Sequence, residues 1–222
     1  MKHTLAVIRS QIVNAYKQGK DNADRSIGNR QLNQRIIDVR NTLIFEHYKF
    51  FKTIDPSWIQ WIDIPVSKEQ NATGYRIVST DDIPQILSLG DSDAGFWQVK
   101  PIGLDFDKLK SFILKPASQL ETIRNGKYTS HMNFAARENN RLIIISKSKN
   151  IGNVLMGAVL SNPEDDPNFT ENSDFPISAE LIDELIKRVA NFDLNLIAGL
   201  NNDKNNNSSE EINVRKTPTG QQ

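Results

Sequence analysis

The chain has 222 residues, with 27 basic and 27 acidic side chains and therefore no net charge at neutral pH. A nucleic-acid-binding protein normally carries a basic excess, so this balance argues against that class. There is no cysteine, which excludes disulfides, thiol nucleophiles and thiolate metal sites and is consistent with a reducing cytoplasm.

Two helices are predicted at the start of the chain. The first ends at Gly19 and contains apolar residues at helical spacing, namely Leu5, Ile8, Ile12 and Tyr16. A polar link from Lys20 to Gly28 follows. A longer helix is then predicted from about Asn29 to Phe50, on an apolar face formed by Leu32, Ile36, Val39 and Leu43.

The middle of the chain changes to the period of two that is typical of strands. Ile62, Ile64 and Val66 alternate with polar residues. Further strands are predicted over residues 75–78, 96–104, 142–145 and 154–160. Pro101 places the second of these at a sheet edge, because proline cannot donate to a neighbouring strand. The last two are predicted to form a hairpin through residues 146–152, and a short helix is predicted around Phe106, Leu109, Phe112 and Ile113.

The C-terminal part is predicted to be a loop, a helix and a polar tail. Residues 162–176 contain turns bounded by proline, and Ser178 is a suitable N-cap for a helix over residues 178–198. Residues 201–222 include six asparagines and almost no apolar residue, so they cannot bury enough surface to fold alone.

The order of these elements predicts an α+β fold. We expect a helical N-terminal third, an antiparallel β middle region, a long C-terminal helix and an extended polar tail. Residues 1–200 are interpreted as a single domain, with a helical part over 1–52, a mainly β part over 53–161 and a helix over 178–198. Residues 201–222 are interpreted as a low-complexity tail.

The sequence shows no recognisable motif of a metal-binding site. His3, His47 and His131 have no second histidine or carboxylate at a metal-ligand spacing. The segment Asp91–Gly95 resembles a calcium loop, but Gly95, Phe96 and Ile102 stand where that loop requires a ligand, a glycine and a glutamate. Glu164, Asp165 and Asp166 are interpreted as a solvated acidic loop.

The sequence also lacks a phosphate-binding loop, a dinucleotide-binding glycine motif and a nucleophile elbow. We therefore expect no catalytic, cofactor-binding or metal-binding residue, no cofactor, and no enzymatic activity. The chain has neither the apolar run of a signal peptide nor the roughly 20 apolar residues that span a bilayer.

Two features bear on binding. Trp58 and Trp61, near Phe50 and Phe51, could stack on a base or sugar, although such a cluster is more often core or subunit contact. Residues 1–40 carry eight basic and three acidic side chains, whereas residues 161–186 carry eight acidic and no basic ones. These two poles either join copies head to tail or neutralise each other within one chain, and the sequence favours neither reading.

Four segments resemble the ring-forming tail proteins of crAss-like bacteriophages: NRQLNQRIIDVRNTLIFEHYKF, WIQWIDIPV, IPQILSLGD, and FPISAELIDELIKRVANFDLNL with its Asn-rich extension. The resemblance implies a virion structural protein, a subunit of a homo-oligomeric ring of about twelve copies. Such a ring lies in the head-to-tail connector or tail barrel below the portal and forms a conduit for genome packaging and ejection.

The partners implied by the resemblance are further copies of the chain, the portal protein and neighbouring tail ring proteins. Contact with DNA in the lumen would be non-specific, no membrane is involved, and assembly would occur in the host cytoplasm. Two alternatives stay open: an internal cargo or ejection protein of the virion, and a small phage-encoded enzyme or nucleic-acid accessory factor. Copy number separates the first from a ring, and a charged cleft with perturbed pKa values favours an enzyme.

Overall fold

The computed structural model describes residues 3–17, 28–68, 76–90, 94–102, 111–124, 132–146 and 151–190. Within these ranges the α-helices are α1 (Leu5–Lys17), α2 (Asn29–Phe51), α3 (Ala117–Arg124) and α4 (Ala179–Arg188). The strands are β1 (Gln60–Lys68), β2 (Arg76–Ser79), β3 (Phe96–Pro101), β4 (Ile113–Leu114), β5 (Phe134–Glu138), β6 (Arg141–Ile145) and β7 (Asn153–Ala158). The α+β class is therefore confirmed.

The seven strands form one sheet in the order β3-β7-β1-β2-β6-β5-β4. Every neighbouring pair is antiparallel except β4 and β5, which run parallel. The backbone N–H of Phe112, next to β4, donates to the carbonyl of Val99 in β3 at 3.0 Å. The two outer strands therefore meet, and the sheet nearly closes on itself. Pro101 ends the outer strand β3, so the edge prediction is confirmed.

The predicted hairpin between residues 142–145 and 154–160 is wrong. Strand β6 lies between β2 and β5, and β7 lies between β1 and β3. The partner of β6 in a hairpin is β5, joined to it by a two-residue turn in which Asn139 has a positive φ of 54°. Asparagine tolerates this conformation better than most residues, and the sequence reading overlooked both the turn and β5.

The predicted short helix is also wrong where it can be examined. Ile113 lies in β4 and pairs with Phe134, and Phe112 bridges to Val99. The other predicted members of that helix, Phe106 and Leu109, lie outside the described residues. Two adjacent apolar residues such as Phe112 and Ile113 fit the period of a helix and that of a strand equally well. Their pairing across the sheet decides in favour of the strand.

The described residues form four buried apolar clusters, and the two largest, called the two cores below, lie on either side of a joint. One fills the interior of the sheet and includes Ile62, Ile64, Val99, Leu142 and Met156. The other lies between the helices and includes Ile8, Ile36, Phe175, Ile182 and Leu185. Helices α1, α2 and α4 each contribute one apolar face to this second core, as their periodicity predicts.

The start of α4 differs from the prediction in one respect. Ser178 occupies the N-cap position, but its side chain makes no capping hydrogen bond and its hydroxyl is buried without a partner. Helix α4 is described as far as Arg188, and the predicted continuation over 191–198 lies outside the described residues, together with the tail.

Candidate assembly surfaces

The two charged poles of the sequence meet within one chain. The guanidinium of Arg9 in α1 donates two hydrogen bonds to the Glu171 carboxylate, at 3.1 and 2.9 Å. Asn33 in α2 bonds both partners. The Arg9 hydrogen bond is the main reason that the pKa of Glu171 lies below its ordinary value. The intramolecular reading therefore accounts for this pair, whereas exposed acids such as Asp174 and Asp183 form no ion pair within the described residues.

Arg40 is the least expected member of the basic pole. Its side chain is fully buried at the joint between the two cores. It donates to the backbone carbonyls of Pro176 (2.7 Å) and Leu160 (2.9 Å) and to the side-chain oxygen of Asn41 (2.9 Å). Its second terminal nitrogen is buried and has no partner within the part of the chain that the structure describes. Burial lowers the pKa of Arg40 to about 9, so the group still carries its charge at neutral pH.

The sequence does contain a signal for the burial of Arg40. Position 40 follows Ile36 by four residues and precedes Leu43 and Ile44 by three and four, so it lies on the apolar face of α2. A charged residue on such a face means either that the apolar face of the helix has been assigned wrongly or that the charged side chain is buried and hydrogen-bonded. The structure shows the second.

The predicted aromatic cluster is divided by the fold. Trp58 is completely buried beneath the end of α2, where the ring of His47 meets it edge-on at 5.2 Å. Trp61 lies in β1, against Gly157, and the Lys100 ammonium sits over its ring at 4.5 Å. The two tryptophans therefore do not form one stacking platform, and Trp58 belongs to the core.

The phenylalanines of the same cluster face outward. Phe50 is 79% exposed and Phe51 is 56% exposed, at the last turn of α2, and their rings are 4.8 Å apart. Next to them, the His47 imidazole lies 3.2 Å from the Glu180 carboxylate. A pair of exposed aromatic side chains is characteristic of contact surfaces. We call Phe50 and Phe51 the aromatic patch.

A cleft of about 590 Å³ lies between the start of β1 and the segment that leads into α4. Half-buried and buried aromatic rings supply its apolar part: Trp61, Phe169 and Phe175. Asp166 and Asp174 also line it, and so does His3, whose carbonyl accepts a hydrogen bond from the Phe175 N–H at 2.9 Å. We call this the β1 cleft.

Gln60 gives the β1 cleft an unusual polar group. The residue is only 7% exposed, and its amide nitrogen donates to the Pro163 carbonyl (3.0 Å) and the Asp166 carboxylate (3.3 Å). Both neighbours can only accept, so the nitrogen must face them. The side-chain oxygen is then buried and has no hydrogen-bond partner among the described residues, so it requires a donor from elsewhere. Neither this glutamine nor the cleft was anticipated from the sequence.

The acidic loop has a structural role. Asn162 caps the short 3-10 helix Pro163–Asp165, and Asp166 accepts the Asn168 N–H at 2.9 Å as well as the Gln60 amide. No group of three or more metal-binding side chains occurs within the described residues. His131 and the segment 91–93 of the calcium-loop candidate lie outside them.

No helix in the described ranges combines the length and apolar character needed to cross a lipid bilayer. The described residues form an α+β body with an aromatic patch, exposed acids such as Asp174 and Asp183, and a cleft lined by Gln60. These features are typical of a protein that contacts other polypeptides.

The comparison with known families gives this class a specific identity. The family model described as phage tail ring protein 2 matches residues 7–212. Because this match covers most of the chain, the chain belongs to that family of phage tail ring proteins. Among curated proteins, none matches it. The family is a structural one, which places the protein in the tail of a phage virion and favours a non-enzymatic role.

Proposed function

We propose that this chain is a subunit of a closed homo-oligomeric ring of about twelve copies. The ring would lie in the head-to-tail connector or tail barrel below the portal and form a conduit for genome packaging and ejection. The observation that carries the proposal is the match to the tail ring family over residues 7–212. The zero net charge supports it, since a channel wall without a basic excess does not grip the phosphate backbone.

In this proposal residues 1–200 act as one domain. The helical N-terminal third and the helix near 178–198 build the body, the β region contacts neighbouring subunits, and the polar tail 201–222 reaches along another subunit. The subunit carries no catalytic, cofactor-binding or metal-binding residue. Its partners are further copies, the portal and adjacent ring proteins, and DNA meets the lumen only non-specifically.

The aromatic patch supplies a candidate contact for ring formation. Phe50 and Phe51 expose contiguous apolar surface beside the half-buried His47. Aromatic residues are enriched in the buried centres of interfaces. A heterologous contact through this patch would close into a ring if the rotation between neighbours fits a whole number of copies.

The test is the mass of the purified full-length chain, measured by native mass spectrometry alone and with the portal protein. We expect a single closed species with a fixed number of copies under at least one condition. A strict monomer under both conditions would contradict the proposal. A variable copy number in purified virions would instead favour an internal cargo protein.

A further inference from the structure

The β1 cleft combines three features that together define the chemistry of an occupant. Its aromatic side chains accept an aliphatic side chain. Asp174 adds an exposed carboxylate, and within the described residues no lysine, arginine or histidine forms an ion pair with it. Asp166 is buried, and both of its oxygens already accept hydrogen bonds from Gln60 and Asn168. The buried Gln60 oxygen lacks a donor. The complementary ligand is an extended peptide with small aliphatic side chains followed by basic or amide donors.

The C-terminal tail of the chain contains a segment of this composition. Within 201–222, the only aliphatic side chains are Ile212 and Val214, and the basic pair Arg215 and Lys216 follows directly. The two aliphatic residues alternate with Asn213, so both point the same way when the segment is extended. An asparagine-rich stretch precedes them.

The connecting chain is long enough to deliver this segment to another molecule. Beyond the predicted helix over 178–198, residues 199–211 number 13, and fully extended they span at most roughly 45 Å. Each residue added to such a polar connector raises the entropic cost of fixing its two ends only slightly. A tail that carries a short apolar and basic segment is thus a tethered ligand, with a high effective concentration near neighbouring subunits.

We propose that the β1 cleft binds the segment Ile212–Lys216 of a neighbouring copy. Ile212 and Val214 pack on Trp61, Phe169 and Phe175. Arg215 and Lys216 face the exposed Asp174 carboxylate, and a side-chain or backbone N–H of the segment donates to the Gln60 oxygen. Only the choice of a neighbouring copy rests on the proposed ring function; occupation of the cleft by the tail does not.

The absence of cysteine makes a direct test possible, because introduced thiols are unique. Ser57 is exposed and lines the cleft, so the full-length double variant Ser57→Cys/Asn213→Cys places one thiol at the cleft and one in the tail. We expect oxidation to give a ladder of covalently joined chains on a denaturing gel. The matched control is Ser67→Cys/Asn213→Cys, in which the first thiol is exposed at the end of β1 and away from the cleft.

The outcomes separate the two proposals. Equal crosslinking in both variants, or none in either, overturns the cleft proposal, and a faster-migrating monomer shows binding within one chain and overturns the neighbouring-copy assignment. If native mass spectrometry shows a closed ring without crosslinking specific to Ser57→Cys, the ring proposal stands and this one falls. Specific crosslinking between chains without a closed ring supports the cleft proposal and contradicts the ring.

A binding measurement tests the chemistry. The probe is a labelled synthetic peptide of residues 208–222, and the receptor is the full-length variant Ile212→Ser/Val214→Ser, whose own tail no longer competes. We expect Asp174→Lys in this receptor to weaken binding roughly tenfold, whereas Asp183→Lys, the same charge change on the exposed face of α4, leaves it within about twofold. Equal affinity for the two receptors, or no binding of the peptide, would overturn the proposal.

Discussion

The two cores of this protein are held together by different means. Aliphatic and phenylalanine side chains fill the interior of the nearly closed sheet, and backbone hydrogen bonds join its strands. The helical core is also apolar, but the joint between it and the sheet is fixed by buried polar side chains, above all Arg40 and Gln60. Apolar packing tolerates small shifts, whereas these hydrogen bonds fix one geometry.

This contrast matters for assembly. The segment between β7 and α4 carries no described helix or strand apart from the short 3-10 helix at Pro163–Asp165, yet it forms one wall of the β1 cleft. Arg40 fixes its two ends through Leu160 and Pro176, and Gln60 fixes its middle through Pro163 and Asp166. The buried polar groups therefore hold a loop in the shape of a binding surface.

The largest effect on stability is expected at the joint. Arg40→Met fills a similar volume but leaves the carbonyls of Leu160 and Pro176 buried without donors. Each such group costs about 1–3 kcal/mol, so the free energy of unfolding should fall by roughly 2–6 kcal/mol in urea denaturation. Arg30→Met, on the exposed start of the same helix, is the control and should change it by less than about 0.5 kcal/mol. Equal stability of the two variants would show that Arg40 does not hold the joint.

A smaller loss is expected from crowding at Gly95. A methyl group there would overlap the Leu87 carbonyl oxygen. The position of Gly95 is also fixed by its own carbonyl, which accepts a hydrogen bond from the Val159 N–H. Gly95→Ala forces the backbone apart and should cost about 1–3 kcal/mol in thermal or urea unfolding. At Gly152 nothing lies within 4 Å of the added methyl. Gly152→Ala should therefore stay within about 0.5 kcal/mol of the unmodified chain, and a comparable loss in both variants would contradict the crowding argument.

The exposed ion pair should contribute less still. Glu171→Gln removes the charge partner of Arg9, and because both side chains reach solvent the free energy of unfolding should fall by only about 0.5 kcal/mol. The pKa of Glu171 is lowered in the folded state from its ordinary value of 4.5. The stabilisation is thus fully present above pH 4.5 and is lost as the pH falls through the lowered value. Urea denaturation of both proteins at pH 7 and pH 3 should show a smaller difference at pH 3 than at pH 7; a larger difference at pH 3 would reverse the expected sign.

The smallest effect on stability and a clear effect on assembly are expected at the aromatic patch. Phe50→Ser removes a ring that is 79% exposed, so unfolding should change by less than about 0.5 kcal/mol. If the patch lies at a subunit contact, the variant should require a higher protein concentration to form the ring in native mass spectrometry. The exposed methionine Met132 provides a control, since Met132→Ser should assemble normally. Unchanged assembly of Phe50→Ser would exclude the patch from the contact.

Local periodicity predicted several elements well. Helix α2, strand β1 and the edge position of β3 follow from the spacing of Leu32 and Ile36, the alternation of Ile62 and Ile64, and the presence of Pro101. These features depend on neighbours in the chain, so a pattern of a few residues contains the necessary information. The family resemblance also came from the sequence, through long segments and their order.

Strand pairing could not be obtained in the same way. Strand β7 has its partners in β1 and β3, and β6 has its partners in β2 and β5. An apolar strand fits many neighbours equally well, so proximity in the sequence led to a false hairpin. The burial of Arg40 and the unpaired oxygen of Gln60 likewise depend on which carbonyls the fold brings next to them.

The sequence by itself determined the α+β composition, the principal helices, the apolar faces and the membership of a tail ring family. Only the tertiary structure decided the order of the strands, the internal neutralisation of Arg9 by Glu171, the separation of Trp58 from Trp61, and the β1 cleft. The physical reason is range: periodicity and turn chemistry act between close neighbours, whereas pairing, burial and unmet hydrogen bonds arise from residues far apart in the chain.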